Sequence, residues 1–237
     1  MSTNVRATGE ASTEARMVWD FPLRAAHWLL VLTVAGAWAT HYAGTRWFTW
    51  HRWLGYATLI LVVFRITWGF IGTRHARFSS FVPGPAGLVA YFRGQPPGAA
   101  PGHNPLGALS VLAMLAALLF QAATGLFAND EIASAGPFYG WIAPGTSNRI
   151  TSLHEANSNL VLGLVVLHLC AIAWYVRVAG RPLVRAMLTG KKPASEVAPA
   201  DAIAGSRTLL ALAVVATLAL ALGLAVRAAP DSVIAFY

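Results

Sequence analysis

The chain has 237 residues, of which 57% are hydrophobic and 11% charged, with 17 Lys and Arg against 9 Asp and Glu. A soluble domain carries about 25% charged residues, so the composition excludes an ordinary water-soluble domain and points to lipid as the main solvent. The single Cys170 excludes an intrachain disulfide or a cysteine-held cluster, and the +8 charge lies between apolar runs, not in a basic soluble segment of the kind that binds nucleic acid.

Residues 1–22 are polar and mixed in charge, with Glu10, Glu14 and Asp20 among Arg6 and Arg16. The apolar run that follows is long and lacks a small-residue cleavage pattern, so it reads as a retained segment and not a signal peptide. A membrane span needs about 20 mainly apolar residues. Five segments qualify: 23–43, 51–72, 105–128, 153–176 and 207–227. The first two are joined by a short loop with Trp47, Phe48 and Trp50, aromatics suited to a membrane–water boundary. Residues 73–104 are rich in Pro and Gly and hold Arg74, Arg77 and Arg93. Residues 129–150 hold Asp130, Glu131 and only one basic residue, Arg149. Arg177, Arg181, Arg185, Lys191 and Lys192 follow the fourth segment, before a small-residue linker over 193–206.

The expected fold is therefore all-α: an integral membrane bundle with a four-helix core within 23–192, a fifth transmembrane helix at 207–227 and a tail at 228–237. With residues 1–22 in the cytoplasm, twelve Lys and Arg lie inside and four outside (Arg46, Arg52, Arg149 and Arg227), while Arg65 lies within the second span. That asymmetry follows the positive-inside rule. It predicts a multi-pass membrane protein with its N-terminus in the cytoplasm and its C-terminus on the outer, periplasmic face.

Intramembrane histidines are costly and mark function. His27 lies in the first span, His51 opens the second, and His154 and His168 lie in the fourth. Fourteen helical residues turn through about 1400°, some 40° short of four full turns, and rise roughly 21 Å. His154 and His168 thus share a face near opposite sides of the membrane. By depth, His27 pairs with His168 on the cytoplasmic side and His51 with His154 on the periplasmic side. Imidazole is a usual axial ligand of haem iron, so one helix can supply a ligand to each of two stacked haems. Gly55 and Gly163 are small residues that would admit a flat macrocycle. His41, also fourteen residues after His27, competes with His51 for the outer layer. A lone membrane histidine is often just an interhelical hydrogen-bonding group; matched depths argue for ligands. Zinc wants four ligands together, whereas these rings fall two to a layer. His75 and His103 are expected to be solvated in the inner loop.

Arg65 lies fourteen residues after His51 and points toward the inner layer. It either pairs with a haem propionate through its fork of donors or snorkels to the interface. Glu155 is either a proton or propionate neighbour or an ordinary acid at a helix N-terminus.

The stretches Trp19-Asp20 through Arg24 to His27-Trp28, His51-Arg52-Trp53-Leu54-Gly55-Tyr56, Arg65-Ile66-Thr67-Trp68-Gly69-Phe70, His103-Asn104-Pro105-Leu106-Gly107, Thr124-Gly125-Leu126-Phe127 and the His154–His168 helix with Thr189-Gly190-Lys191-Lys192 together resemble the bacterial cytochrome b(561) family. That family includes the cytochrome b subunits that anchor nickel–iron hydrogenases. The resemblance covers about 19–192. It implies a four-helix core with two b haems, each held by two histidines, and places His27, His51, His154 and His168 on the ligand positions. It implies a place in the bacterial inner membrane and electron exchange between quinone and a periplasmic redox protein such as a c-type cytochrome, a dehydrogenase or a hydrogenase. The fifth helix lies outside it. Two other readings stand beside this one. A superoxide oxidase that passes electrons to ubiquinone would use Arg46, Arg52 and Arg149 to steer the anion, against which Asp130 and Glu131 weigh mildly. A non-redox scaffold or transporter would bind no haem.

Overall fold

The computed structural model describes residues 15–94, 105–132 and 134–230, and helices dominate it. The main elements are β1 (Ala15–Met17), α1 (Phe21–Tyr42), α2 (Phe48–Ile71), α3 (Pro85–Phe92), α4 (Pro105–Gly125), α5 (Pro144–Arg177), α6 (Leu183–Thr189), β2 (Lys191–Pro193) and α7 (Thr208–Ala228). The end of the bundle at which α1 begins is the proximal end, and the opposite end is distal.

α1 starts where it does because Asp20 caps it. The Asp20 carboxylate accepts from the Leu23 amide at 2.7 Å, one of the orphan donors of a helix's first turn. Asp20 is fully buried, and its second oxygen accepts from Trp68 Nε1 at 3.1 Å and from the Thr73 hydroxyl. One carboxylate thus fastens the start of α1 to the end of α2. At the distal end Gly44, with φ 95, turns the chain from α1 into α2, a conformation that a Cβ would oppose. α1 packs on α2, α2 on α4, and α4 on α5, while α7 lies against α2 and, more lightly, α1. One apolar cluster joins Trp19, Leu23, Phe64 and Trp68 to Ala211 of α7. A second joins Val62 of α2 to Leu115, Leu118 and Val161 of α4 and α5. At Gly69 a Cβ would lie 2.1 Å from the Phe78 ring, so only glycine admits that ring.

Among the described residues, four stretches are long and apolar enough to cross a membrane: Thr45–Ile71, Pro105–Gly125, Pro144–Arg177 and Thr208–Ala228. The helical membrane bundle expected from composition is therefore present, with one fewer qualifying helix than the five expected spans. The helix that falls short is α1. It is 22 residues long and equal in reach to a span, but Arg24, His27 and His41 dilute its apolar character. α5 begins at Pro144 and not near 153, because a proline at its first turn and the polar run Thr146–Asn148 extend the helix beyond the apolar stretch.

Segment 193–206 is held to the proximal end. Arg74 forms an ion pair with Asp201 at 2.7 Å and donates to the Ala200 carbonyl at 2.8 Å. His75 Nε2 lies 2.6 Å from the Asp201 carbonyl, and the residue is only 5% exposed. The expectation that His75 is solvated is thereby corrected: the returning segment covers it. His103 lies outside the described residues. β1 and β2 form an antiparallel pair that aligns Arg16 with Lys192 and ties the segment before α1 to the one after α6.

Candidate functional site

α1 and α2 form one wall and α5 the facing one. Two pairs of rings meet across the space between them. His27 of α1 and His168 of α5 have ring centroids 6.4 Å apart in the proximal layer. His51 of α2 and His154 of α5 have centroids 6.4 Å apart in the distal layer. These are the pairs expected from depth.

The separation can be tested against a haem. A metal–imidazole nitrogen bond is about 2 Å, and the ring centroid lies roughly 1.1 Å behind its nitrogen. Two imidazoles on opposite sides of one iron therefore have centroids about 6.3 Å apart. Both pairs match that spacing. A direct hydrogen bond between the rings would draw them closer, because nitrogen–nitrogen contact is then about 3 Å. A Cβ at either Gly55 or Gly163 would meet nothing within 4 Å, so neither position obstructs a flat macrocycle. The residues present fit the group.

The distal pair is also held in the correct chemical form. His51 Nδ1 donates to the Ala37 carbonyl at 2.8 Å. His154 Nδ1 donates to the Gln121 carbonyl at 2.9 Å. Each bond puts the ring proton on Nδ1, which leaves the Nε2 lone pair of His51 for a metal, whereas that of His154 accepts from the Gln121 amide, which a metal would have to displace. A ligand histidine ordinarily donates its other N–H to such a partner. The Gln121 side-chain amide lies 3.1 Å from His154 Nε2, and its oxygen accepts from Asn157 Nδ2 at 2.7 Å. Thr124 Oγ1 lies 3.1 Å from His154 Nδ1. Gly125 lets the ring reach α4, since a Cβ there would lie 3.0 Å from His154 Cε1. Gln121 and Asn157 are site residues that sequence reasoning missed, and Thr124 and Gly125 were singled out there only for the family resemblance, without a role at the site. The available signal was polarity, because Gln121 sits inside an apolar run and Asn157 within the expected fourth span, where uncompensated amides are costly.

His41 lies with its ring centroid 6.1 Å from that of His51. It is exposed, whereas His51 is half-buried and anchored to Ala37. Among the described residues, no three His, Cys, Asp or Glu side chains come together in a metal-holding arrangement. Arg65 is only 7% exposed. It donates to the Ala76 carbonyl at 3.2 Å, and its guanidinium lies over the rings of Phe78 and Phe81 at 5.3 and 6.0 Å. A guanidinium carries five donors, so this bond does not exhaust its capacity. Glu155 is exposed.

A family model described as prokaryotic cytochrome b561 matches residues 18–190. No curated protein matches the chain. The matched residues take in α1 through α6 and all four histidines, and the chain belongs to the prokaryotic cytochrome b561 family. Membership implies a membrane b-type cytochrome that binds haem b and acts in electron transfer, a property that the scaffold or transporter reading lacks.

Proposed function

We propose that this member of the prokaryotic cytochrome b561 family is a dihaem relay, moving electrons between the quinone pool and a periplasmic redox partner. The observation that carries the reading is the pair of histidine layers, each at the spacing of two imidazoles on one iron. His27 and His168 are the ligands of the proximal layer, and His51 and His154 those of the distal layer. Haem, when bound, supplies a one-electron ferric–ferrous couple. The chain contributes neutral imidazoles, a fixed tautomer at His51 and His154, and apolar walls that keep water from the rings. Arg65 offers its remaining donors to a propionate of the proximal haem. Gly55 and Gly163 leave room for the two macrocycles. α1 crosses the membrane with the other four long helices, with residues 1–22 in the cytoplasm and residues 228–237 in the periplasm.

The test is reduction of the purified holoprotein, in lipid nanodiscs, by a ubiquinol or menaquinol analogue. Reduction of most of the haem on mixing, followed by reoxidation by a soluble high-potential acceptor, is expected. Failure of every quinol to reduce it would remove quinone from the account. A second reading, oxidation of superoxide, draws on the exposed Arg46 and Arg149 and the half-exposed Arg52, which could steer an anion to the distal end. Faster reduction by superoxide than by any quinol would favour it.

A further inference from the structure

At the proximal end, the chain after α5, together with Ala15 of β1, forms an open hollow of about 380 Å³. Arg181, Arg185, Lys191 and Lys192 line it, with Glu196 as the single acid among the lining residues, and Leu183 and Ala186 form part of its apolar wall. α5 ends at Arg177, four residues before the first of these cations, so the cavity lies at headgroup depth beside the end of a span. A topological bias alone requires cations near this surface, but it does not require them to line one concavity. The pairing of Arg16 with Lys192 across β1 and β2 fixes the backbone that carries the lysines.

We propose that this cavity binds a phosphate group, delivered by an anionic phospholipid of the adjoining leaflet. Four cations against one carboxylate leave a net positive hollow. Arginine offers a planar fork of donors and lysine a compact charge, both suited to phosphate oxygens. A basic pocket beside membrane helices is a recurring setting for lipid headgroups. The apolar part of the wall accommodates the glycerol and upper acyl chain, which a free phosphate lacks. Burial lowers the Lys192 pKa from its ordinary value, Glu196 opposes that, and Arg181 adds to it. A seated anion would offset the charge crowding that Lys192 shares with Arg181. The proposal is independent of haem ligation.

The experiment is native mass spectrometry of the full-length holoprotein in detergent, with phosphatidylglycerol or phosphatidylcholine of matched chains. Wild-type and R185Q/K192Q proteins would be compared, with the haem spectrum reporting an intact fold. Each cation near a lipid surface is worth about fivefold in affinity, so the double variant should bind phosphatidylglycerol about thirtyfold more weakly. R185Q alone, expected to lose about fivefold, serves if the double variant does not hold its spectrum. Preference for phosphatidylglycerol in the wild type, lost in the variants, supports the proposal with lipid as the source. Lack of that preference, with thermal stabilisation by millimolar inorganic phosphate that the variants lose, supports the site with free phosphate as the source. Equal binding of both lipids and no effect of phosphate, or variants that bind as wild type, would overturn it.

Discussion

Gly125→Ala separates the distal histidine layer from general stability. The added methyl would stand 3.0 Å from His154 Cε1 and 3.4 Å from Nδ1. Carbon contacts are comfortable at about 3.5–4.0 Å, so the ring must withdraw from α4 by roughly 0.5 Å. Its Nδ1 bond to the Gln121 carbonyl is 2.9 Å long and would stretch beyond the ~3.2 Å limit of an N–H···O bond. Loss of such an outer partner costs about 10–100-fold in metal affinity. The backbone effect runs the other way, because alanine at the end of α4 raises helix propensity by about 1 kcal/mol over glycine. The variant should therefore keep its helix content and its proximal haem while the distal haem is lost or shifted in potential. Haem per polypeptide, a redox titration and a circular-dichroism melt read these separately. Wild-type occupancy and potential at both haems would show that His154 does not depend on its seat against α4.

His51→Ala should remove or perturb one haem, while His41→Ala should leave both in place, since His41 is exposed and His51 is anchored to Ala37; haem spectra of the two variants check this. Arg65→Leu removes a buried positive charge from the proximal half of α2; if Arg65 serves the proximal haem as proposed, the proximal potential should fall and the distal one hold, as read by redox titration. Asp20→Ala leaves the Leu23 amide, the Trp68 indole and the Thr73 hydroxyl without their common acceptor. A loss of at least ~2 kcal/mol should appear as a lower melting temperature with both haems still bound in the folded fraction.

The histidine layers were legible in the sequence because two simple quantities converge on them. Helical periodicity puts residues fourteen apart on one face, and the distribution of Lys and Arg orders the spans by depth. Contacts that depend on three-dimensional return of the chain were not legible. His75 sits in a polar loop by sequence, yet residues 199–201 come back to cover it. Gln121 and Asn157 are 36 residues apart, and no local pattern shows that Asn157 holds the amide that meets His154. The start of α5 escaped because hydropathy marks where lipid begins, whereas a proline at N1 and a run of polar helix residues set where hydrogen bonding begins. α1 shows the converse: it has a span's length, yet the polar residues that point to its function lower its hydropathy. The fifth helix had no assigned role by sequence. In the structure its Ala211, Val214 and Leu218 pack on the cluster that holds Trp68, so it buttresses α2.

Haem per polypeptide in the purified wild-type protein, with reduced-minus-oxidised spectra, tests the central claim most directly. Two b haems per chain, both with low-spin bis-imidazole spectra, are the predicted result. One haem per chain, or a high-spin centre lacking a second imidazole, would contradict the two-layer assignment of His27 with His168 and His51 with His154.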